Sequence, residues 1–175
     1  DLDKVKDYRV LFIGDAIIDE YMYVKTIGKA VKENALSSQF IRKESFAGGV
    51  VAAHKHLTTF CKKVSYDVGT NIMWNRRVID DVYLRKLFVI HDLRDFHEKR
   101  PEFDIGSFDL VVITDFGHGC MTDALIEKIS KEAKFLAVNA QTNSVNYGFN
   151  MITKYPRADF VVIDELEARL ATHDA

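Results

Sequence analysis

Four short apolar runs, each closed by polar residues, constrain the fold more than any other feature of this chain. VLFI at 10–13 stops at Gly14 and Asp15, LVVIT at 110–114 stops at Asp115, FLAV at 135–138 stops at Asn139, and DFVVI at 159–163 stops at Asp164 and Glu165. Runs this short and this uniformly apolar belong to strands buried on both faces, as in a parallel sheet covered by helices. Helical patterns lie between them. Residues 122–133 put Leu125, Ile126 and Ile129 at helical spacing behind a cap at Thr122 or Asp123. Residues 49–60 start behind a Gly-Gly pair, and Glu165 opens a further helix over 165–171. Such alternation predicts an α/β fold with right-handed crossovers.

Three other segments, 21–25, 37–43 and 76–89, mix β-branched and aromatic residues with charges, the pattern of a sheet exposed on one side. They predict a small antiparallel lid, built from 17–45 and 74–90, beside the main sheet. HDLRDFHEKRP at 91–101 reads as a solvated loop or short helix. With no repeat and two prolines in 175 residues, the chain reads as one domain over 1–175.

Composition removes several function classes. Lys and Arg number 24 against 26 Asp and Glu, so the global positive field of a general nucleic-acid binder is absent. No run approaches the roughly 18 apolar residues of a membrane helix, and the opening DLDKVKDY is not a signal peptide. Cys61 and Cys120 have no metal-ligand or C-x-x-C spacing. They are expected to be buried thiols in a reducing, cytoplasmic setting.

In open parallel sheets ligands bind beyond the carboxyl ends of the strands, where this chain carries Asp15, Asp115, Asn139 and Glu165. Acidic groups there orient sugar hydroxyls or hold a divalent cation, although any one of them also serves to cap the next helix. Gly48 and Gly49 allow close backbone approach to a ligand at a helix start, or form an ordinary turn. They are neither a P-loop nor a dinucleotide fingerprint. His118, between Gly117 and Gly119, is a general-base candidate. A histidine in a polar loop is more often solvated or hydrogen-bonded. Arg76, Arg77, Arg85 and Lys86 either neutralise phosphate or form a solvated face. DFG at 115–117 lacks the other protein-kinase signatures and carries no weight.

VLFIGD at 10–15 with Asp19 and Tyr21, AGG at 47–49, VVITD at 111–115 with Gly119, and DELE at 164–167 occur in an order that resembles the ribokinase, or PfkB, family of carbohydrate kinases. The likeness is closest to the branch containing the heptose-phosphate kinase domain of ADP-heptose synthase. The resemblance implies a ribokinase-like α/β fold, a mainly parallel sheet flanked by helices with an antiparallel lid. It also implies transfer of phosphate from ATP, with Mg2+, to a hydroxyl of a sugar or sugar phosphate. Asp15, Asp19, Gly48, Gly49 and Arg77 would then bind the sugar. Asp115, Asn139 and Glu165 would serve the nucleotide, with Glu165 acting through the metal. The family further implies a homodimer through the lid, a fused nucleotidyltransferase domain, and no nucleic-acid or membrane partner.

The family's Asn-x-x-Glu asparagine falls at Val162, and the asparagine usual after Gly-Gly falls at Ala52. The Gly-Ala-Gly-Asp stretch with the catalytic base is expected beyond Ala175, and further residues are expected near 69–74. These departures raise a second reading, a sugar- or nucleotide-binding module without phosphoryl transfer. A flavodoxin-like or receiver domain fits the size but has no place for the lid.

Overall fold

A computed structural model describes residues 2–95 and 102–173. Its strands and helices are β1 (Arg9–Gly14), β2 (Ala16–Lys29), β3 (Leu36–Gly48), α1 (Gly49–Leu57), β4 (Lys63–Asp67), β5 (Asn71–Asp80), β6 (Arg85–Asp95), β7 (Leu110–Asp115), α2 (Asp123–Glu132), β8 (Leu136–Ala140), β9 (Phe160–Val161) and α3 (Glu165–Thr172). Sheet A is parallel throughout, in the order β4-β1-β7-β8-β9. All four apolar runs are strands of this sheet. Alternation along β1 explains why: Leu11 and Ile13 pack with Val111, Ile113, Leu136 and Val138 under Ile126 and Ile129 of α2. Val10 and Phe12 pack on the other face with Val50 of α1 and Cys61. Each side chain of the run therefore finds a core on one face or the other.

The helices follow local chemistry. Thr122 Oγ1 accepts from the Leu125 amide and caps α2. At α3, Asp164 accepts from the Glu167 amide and Glu167 accepts from the Asp164 amide, both at 2.8 Å, a reciprocal capping box. The DELE stretch is thus a helix start built by Asp164 and Glu167.

The lid differs from the expectation. Sheet B, in the order β3-β2-β5-β6, is mixed: β2 pairs antiparallel with β3 but parallel with β5. The parallel pair arises because the chain leaves the lid after β3, runs through α1 and β4 in the main sheet, and re-enters at β5. The lid strands are also longer than expected, since charged residues on a two-sided surface do not interrupt strand pairing. Residues 91–95 belong to β6 rather than to a loop, and 96–101 lie outside the described residues. β4 was not foreseen, because Lys63, Ser65 and Asp67 break its apolar pattern at the edge of sheet A. Cys61 and Cys120 are buried and not joined in a disulfide, as expected. No helix of the described residues is long and apolar enough to cross a membrane.

Candidate functional site

A cavity of about 330 Å³ opens between sheet B and the carboxyl ends of sheet A. Sheet B supplies Ile17 and Asp19 from β2, Asn75 and Arg77 from β5, and Lys86, Val89 and His91 from β6. The strand register explains this grouping. Asp19, Asn75 and His91 are cross-strand partners in one row, and Tyr21, Arg77 and Val89 form the next row on the same face. Gly49, Phe116, His118, Gln141, Asn143 and Ser144 close the cavity from the side of sheet A.

Asp19 and Arg77, expected at a sugar site, meet here as an ion pair, with both side chains about one-quarter exposed. The guanidinium also lies 5.2 Å from the centre of the Tyr21 ring. Gly48 makes room for this pair, since a Cβ there would stand 2.7 Å from Asp19 Oδ2. Gly49 has φ +58, and a Cβ would come within 2.2 Å of the Asp15 carbonyl oxygen, so only glycine fits where α1 leaves the sheet. No side chain caps the first turn of α1. The expected sugar-binding set Asp19, Gly49 and Arg77 therefore shares one cavity, with Gly48 directly beneath the carboxylate.

The remaining acidic strand tips are placed otherwise. Asp15 is 1% exposed and does not line the cavity. Its carboxylate accepts the amides of Phe116 at 2.7 Å, His118 at 3.3 Å and Cys120 at 3.1 Å, holding the loop after β7. Burial pushes its carboxyl above the ordinary range. The nearby Asp115 adds to this, whereas the Cys120 and His118 amides and the His118 ring act against it. Asp115 is likewise buried. It accepts the Tyr155 hydroxyl at 2.6 Å and the Gly117 amide at 2.9 Å, and pairs with Lys154 at 2.5 Å. Both carboxylates are committed to internal donors, so they shape the cavity wall instead of offering oxygens to sugar or nucleotide. A tip residue that must satisfy a tight, glycine-containing loop is not free to face a ligand.

Asn139 donates to the Val162 carbonyl at 2.8 Å, tying β8 to the segment after β9. Glu165 stands outside the cavity lining, largely exposed, and pairs with Arg169 one turn along α3 at 2.8 Å. Among the described residues no three His, Cys, Asp or Glu side chains come together as a metal cage. Magnesium usually binds through one or two carboxylates together with phosphate oxygens and water, and the exposed Glu165 carboxylate is of that kind.

Several lining residues were not foreseen. Gln141, Asn143 and Ser144 follow β8 in a loop fixed by asparagines. Asn143 and Asn146 donate to the Phe116 carbonyl at 2.9 and 2.7 Å, and Asn150 donates to the carbonyls of Asp115 and Gln141 at 3.1 Å. Three asparagines in the eight residues 143–150 were the available signal. His118 is neither solvated nor hydrogen-bonded through Nδ1. It is buried in the cavity wall, and burial holds its pKa below the usual histidine value against the pull of Asp15 and Asp115. A second, apolar groove of about 600 Å³ lies at the opposite end of sheet A, lined by Val5, Tyr8, Leu57, Cys61 and Phe135 among others.

The sequence matches no protein-family model and no curated protein. Among solved structures the fold is similar to that of a protein of Agrobacterium tumefaciens assigned as a ribokinase, at 15% identity and a TM-score of 0.57, covering 95% of this chain and 62% of that one. It is also similar to a carbohydrate kinase from the same organism, at 13% identity and a TM-score of 0.53, covering 94% and 63%. Phosphofructokinase-2 from Escherichia coli in complex with fructose-6-phosphate matches at 10% identity and a TM-score of 0.52, covering 96% and 65%. The chain thus has a ribokinase-like α/β fold and spans less than two thirds of the length of each of these structures.

Proposed function

We propose that the cavity under sheet B binds a carbohydrate or carbohydrate phosphate, and that the chain is the corresponding part of an ATP-dependent carbohydrate kinase. The observation that carries this reading is the Asp19 and Arg77 pair, seated beside Gly48 and Gly49 and covered by a four-stranded lid at the carboxyl ends of a parallel sheet. A carboxylate accepts hydroxyl donors on one face, and a planar guanidinium fixes its orientation from the other. Asn75, Gln141 and Asn143 supply amide groups that both donate and accept, as a polyhydroxylated ligand needs.

In the reaction a sugar hydroxyl oxygen bonds the γ-phosphorus and the bridge to ADP breaks. The hydroxyl proton passes to the carboxylate base that the family resemblance implies. Magnesium would accompany the nucleotide phosphates, on the side of the crevice marked by Asn139 and Glu165. A heptose phosphate as acceptor, a fused nucleotidyltransferase domain and a cytoplasmic setting belong to this reading on the resemblance alone. Exposed Phe40, Phe88 and Ile90 on sheet B support pairing with the lid of a second copy.

The test is phosphate transfer from ATP by the complete gene product across hexose, hexose phosphate and heptose phosphate acceptors. Transfer to at least one of them is expected, and no turnover with any would count against the kinase. The second reading, a binding module without transfer, is favoured by Val162 and Ala52 standing where the resemblance places two asparagines. It requires calorimetric affinity for a sugar without turnover in the same full-length protein.

A further inference from the structure

The loop after β7 is held from two sides by different chemistry. Its carbonyls are held by neutral amide donors: Asn143 and Asn146 on the Phe116 carbonyl at 2.9 and 2.7 Å, and Asn71 Nδ2 on the His118 carbonyl at 3.0 Å. Its amides are held by two carboxylates. Asp15 Oδ2 accepts from Phe116 and His118, Asp15 Oδ1 accepts from Cys120, and Asp115 Oδ1 accepts from Gly117. Asparagine does not titrate, so acid acts on the amide side of the loop alone. Phe116 and His118 are the residues of this loop that line the cavity. The Asp15 main chain serves another part of the same wall, since its carbonyl accepts the Val50 amide at 3.1 Å and seats the first turn of α1 behind Gly49.

The two carboxylates are not equally protected against protonation. Asp115 has a cation, Lys154, at 2.5 Å, together with the Tyr155 hydroxyl and the Asn150 amide. Asp15, equally buried, is held by backbone amides, with no Lys or Arg ion-paired to it among the described residues. The titratable groups that face it are Asp115 from the end of β7 and the His118 ring from the loop, while the first turn of α1 brings none. Tyr155 also feels the Asp15 charge, although its hydroxyl is bound to Asp115, and His91 of β6 acts on His118. Burial, the largest influence, and the Asp115 charge favour a neutral Asp15; the Cys120 and His118 amides and the His118 ring oppose them without prevailing. A protonated carboxyl carries an O–H in place of one acceptor, and whichever oxygen of Asp15 takes the proton already accepts an amide. At least one of the three amides must then let go.

We propose that Asp15 is an acid-sensitive latch on the cavity wall: ionised, it draws the amides of Phe116, His118 and Cys120 inward, and taking up one proton frees them, so that the loop turns about its asparagine-held carbonyls and the cavity loses its Phe116 and His118 wall. The latch needs no particular ligand, so it stands apart from the carbohydrate reading. The folded chain holds this proton more tightly than the unfolded one, so its uptake favours the folded state as pH falls, and the release is a native-state event distinct from acid unfolding.

Carbon-13 labelling of the aspartate carboxyls in the full-length protein reads the latch directly. The Asp15 carboxyl carbon should titrate with a midpoint above the ordinary aspartate value of about 3.9, and the Phe116, His118 and Cys120 amides should shift with the same midpoint. Hydrogen exchange at those three amides, corrected for the intrinsic effect of pH, should speed up about tenfold or more through the transition, while β1 and β7 keep their protection. Fructose, which carries no group that titrates in this range, should bind about tenfold more weakly below the midpoint. Asp15→Asn, of the same size without the charge, should free the loop at neutral pH and show no transition; the wild-type titration decides even where this variant does not fold. An Asp15 carbon titrating at or below about 3.9, or three amides that stay protected through its titration, overturns the latch. Unchanged fructose affinity across a transition that frees the amides overturns its hold on the cavity. No affinity for fructose at any pH counts against the carbohydrate reading, and the amide exchange then decides the latch by itself.

Discussion

Tyr155→Phe isolates one hydrogen bond on which the cavity wall depends. The Tyr155 hydroxyl donates to Asp115 Oδ2 at 2.6 Å, with both residues buried, and phenylalanine keeps the ring's packing while deleting the donor. The hydroxyl is a donor at any accessible pH, because burial and the adjacent carboxylate push its pKa far above the usual tyrosine value. A bond to a charged group contributes about 1.5–3 kcal/mol. The upper part of that range is not expected, since Lys154 at 2.5 Å and the Gly117 amide at 2.9 Å continue to satisfy Asp115. A loss of about 1.5–2 kcal/mol corresponds to roughly 3–8 °C in Tm for a domain of this size. Urea unfolding should show the same loss with an unchanged m-value. A Tm within about 1 °C of the parent would refute the reasoning, because it would mean that Asp115 is neither charged nor dependent on Tyr155.

Further outcomes follow from the same geometry. Gly49→Ala should cost about 1–2 kcal/mol from the left-handed backbone alone, and more from the collision of its Cβ with the Asp15 carbonyl, read as reduced soluble yield and Tm. Glu165→Gln should leave affinity for fructose 6-phosphate within about twofold, because its carboxylate stands outside the cavity and faces Arg169. A tenfold loss by calorimetry would place Glu165 at the sugar site, where neither the resemblance nor the cavity lining puts it. His118 carries a depressed folded-state pKa, so as pH falls from about 6.5 the unfolded chain takes up its proton first. Stability should therefore decline through that window, and His118→Gln should flatten the decline in urea unfolding measured between pH 5 and 7.5. An identical pH profile in the variant would count against a buried, neutral His118.

How far the sequence disclosed this arrangement depended on which physical signal was present. The strands of sheet A were legible because residues such as Leu11 and Phe12 are apolar on both faces. β4 was not, because an edge strand needs only one apolar face, as Val64 shows. The lid's mixed pairing depends on a detour of the chain through α1 and β4, and local composition does not encode such a return. At the site, Asp19 and Gly48 were grouped on the family resemblance, and they lie together because a Cβ on Gly48 would crowd the Asp19 carboxylate. Asp15 and Asp115 misled for a complementary reason. A strand-tip acid looks the same whether it turns outward to a ligand or inward to the Phe116 and His118 amides. Only three-dimensional accounting of those amides distinguishes the two. Asn143 and Ser144 escaped notice because asparagine-rich loops usually signal a turn and nothing more.

The most direct test of the central claim is amide chemical-shift mapping of the isotope-labelled protein with fructose 6-phosphate, repeated with Asp19→Asn. Perturbations are expected at Asp19, Gly49, Arg77, His118 and Asn143, around the cavity between the two sheets, and they should fade in the variant. Shifts confined to Val5, Leu57 and Phe135 at the opposite groove, or a pattern indifferent to Asp19→Asn, would contradict it.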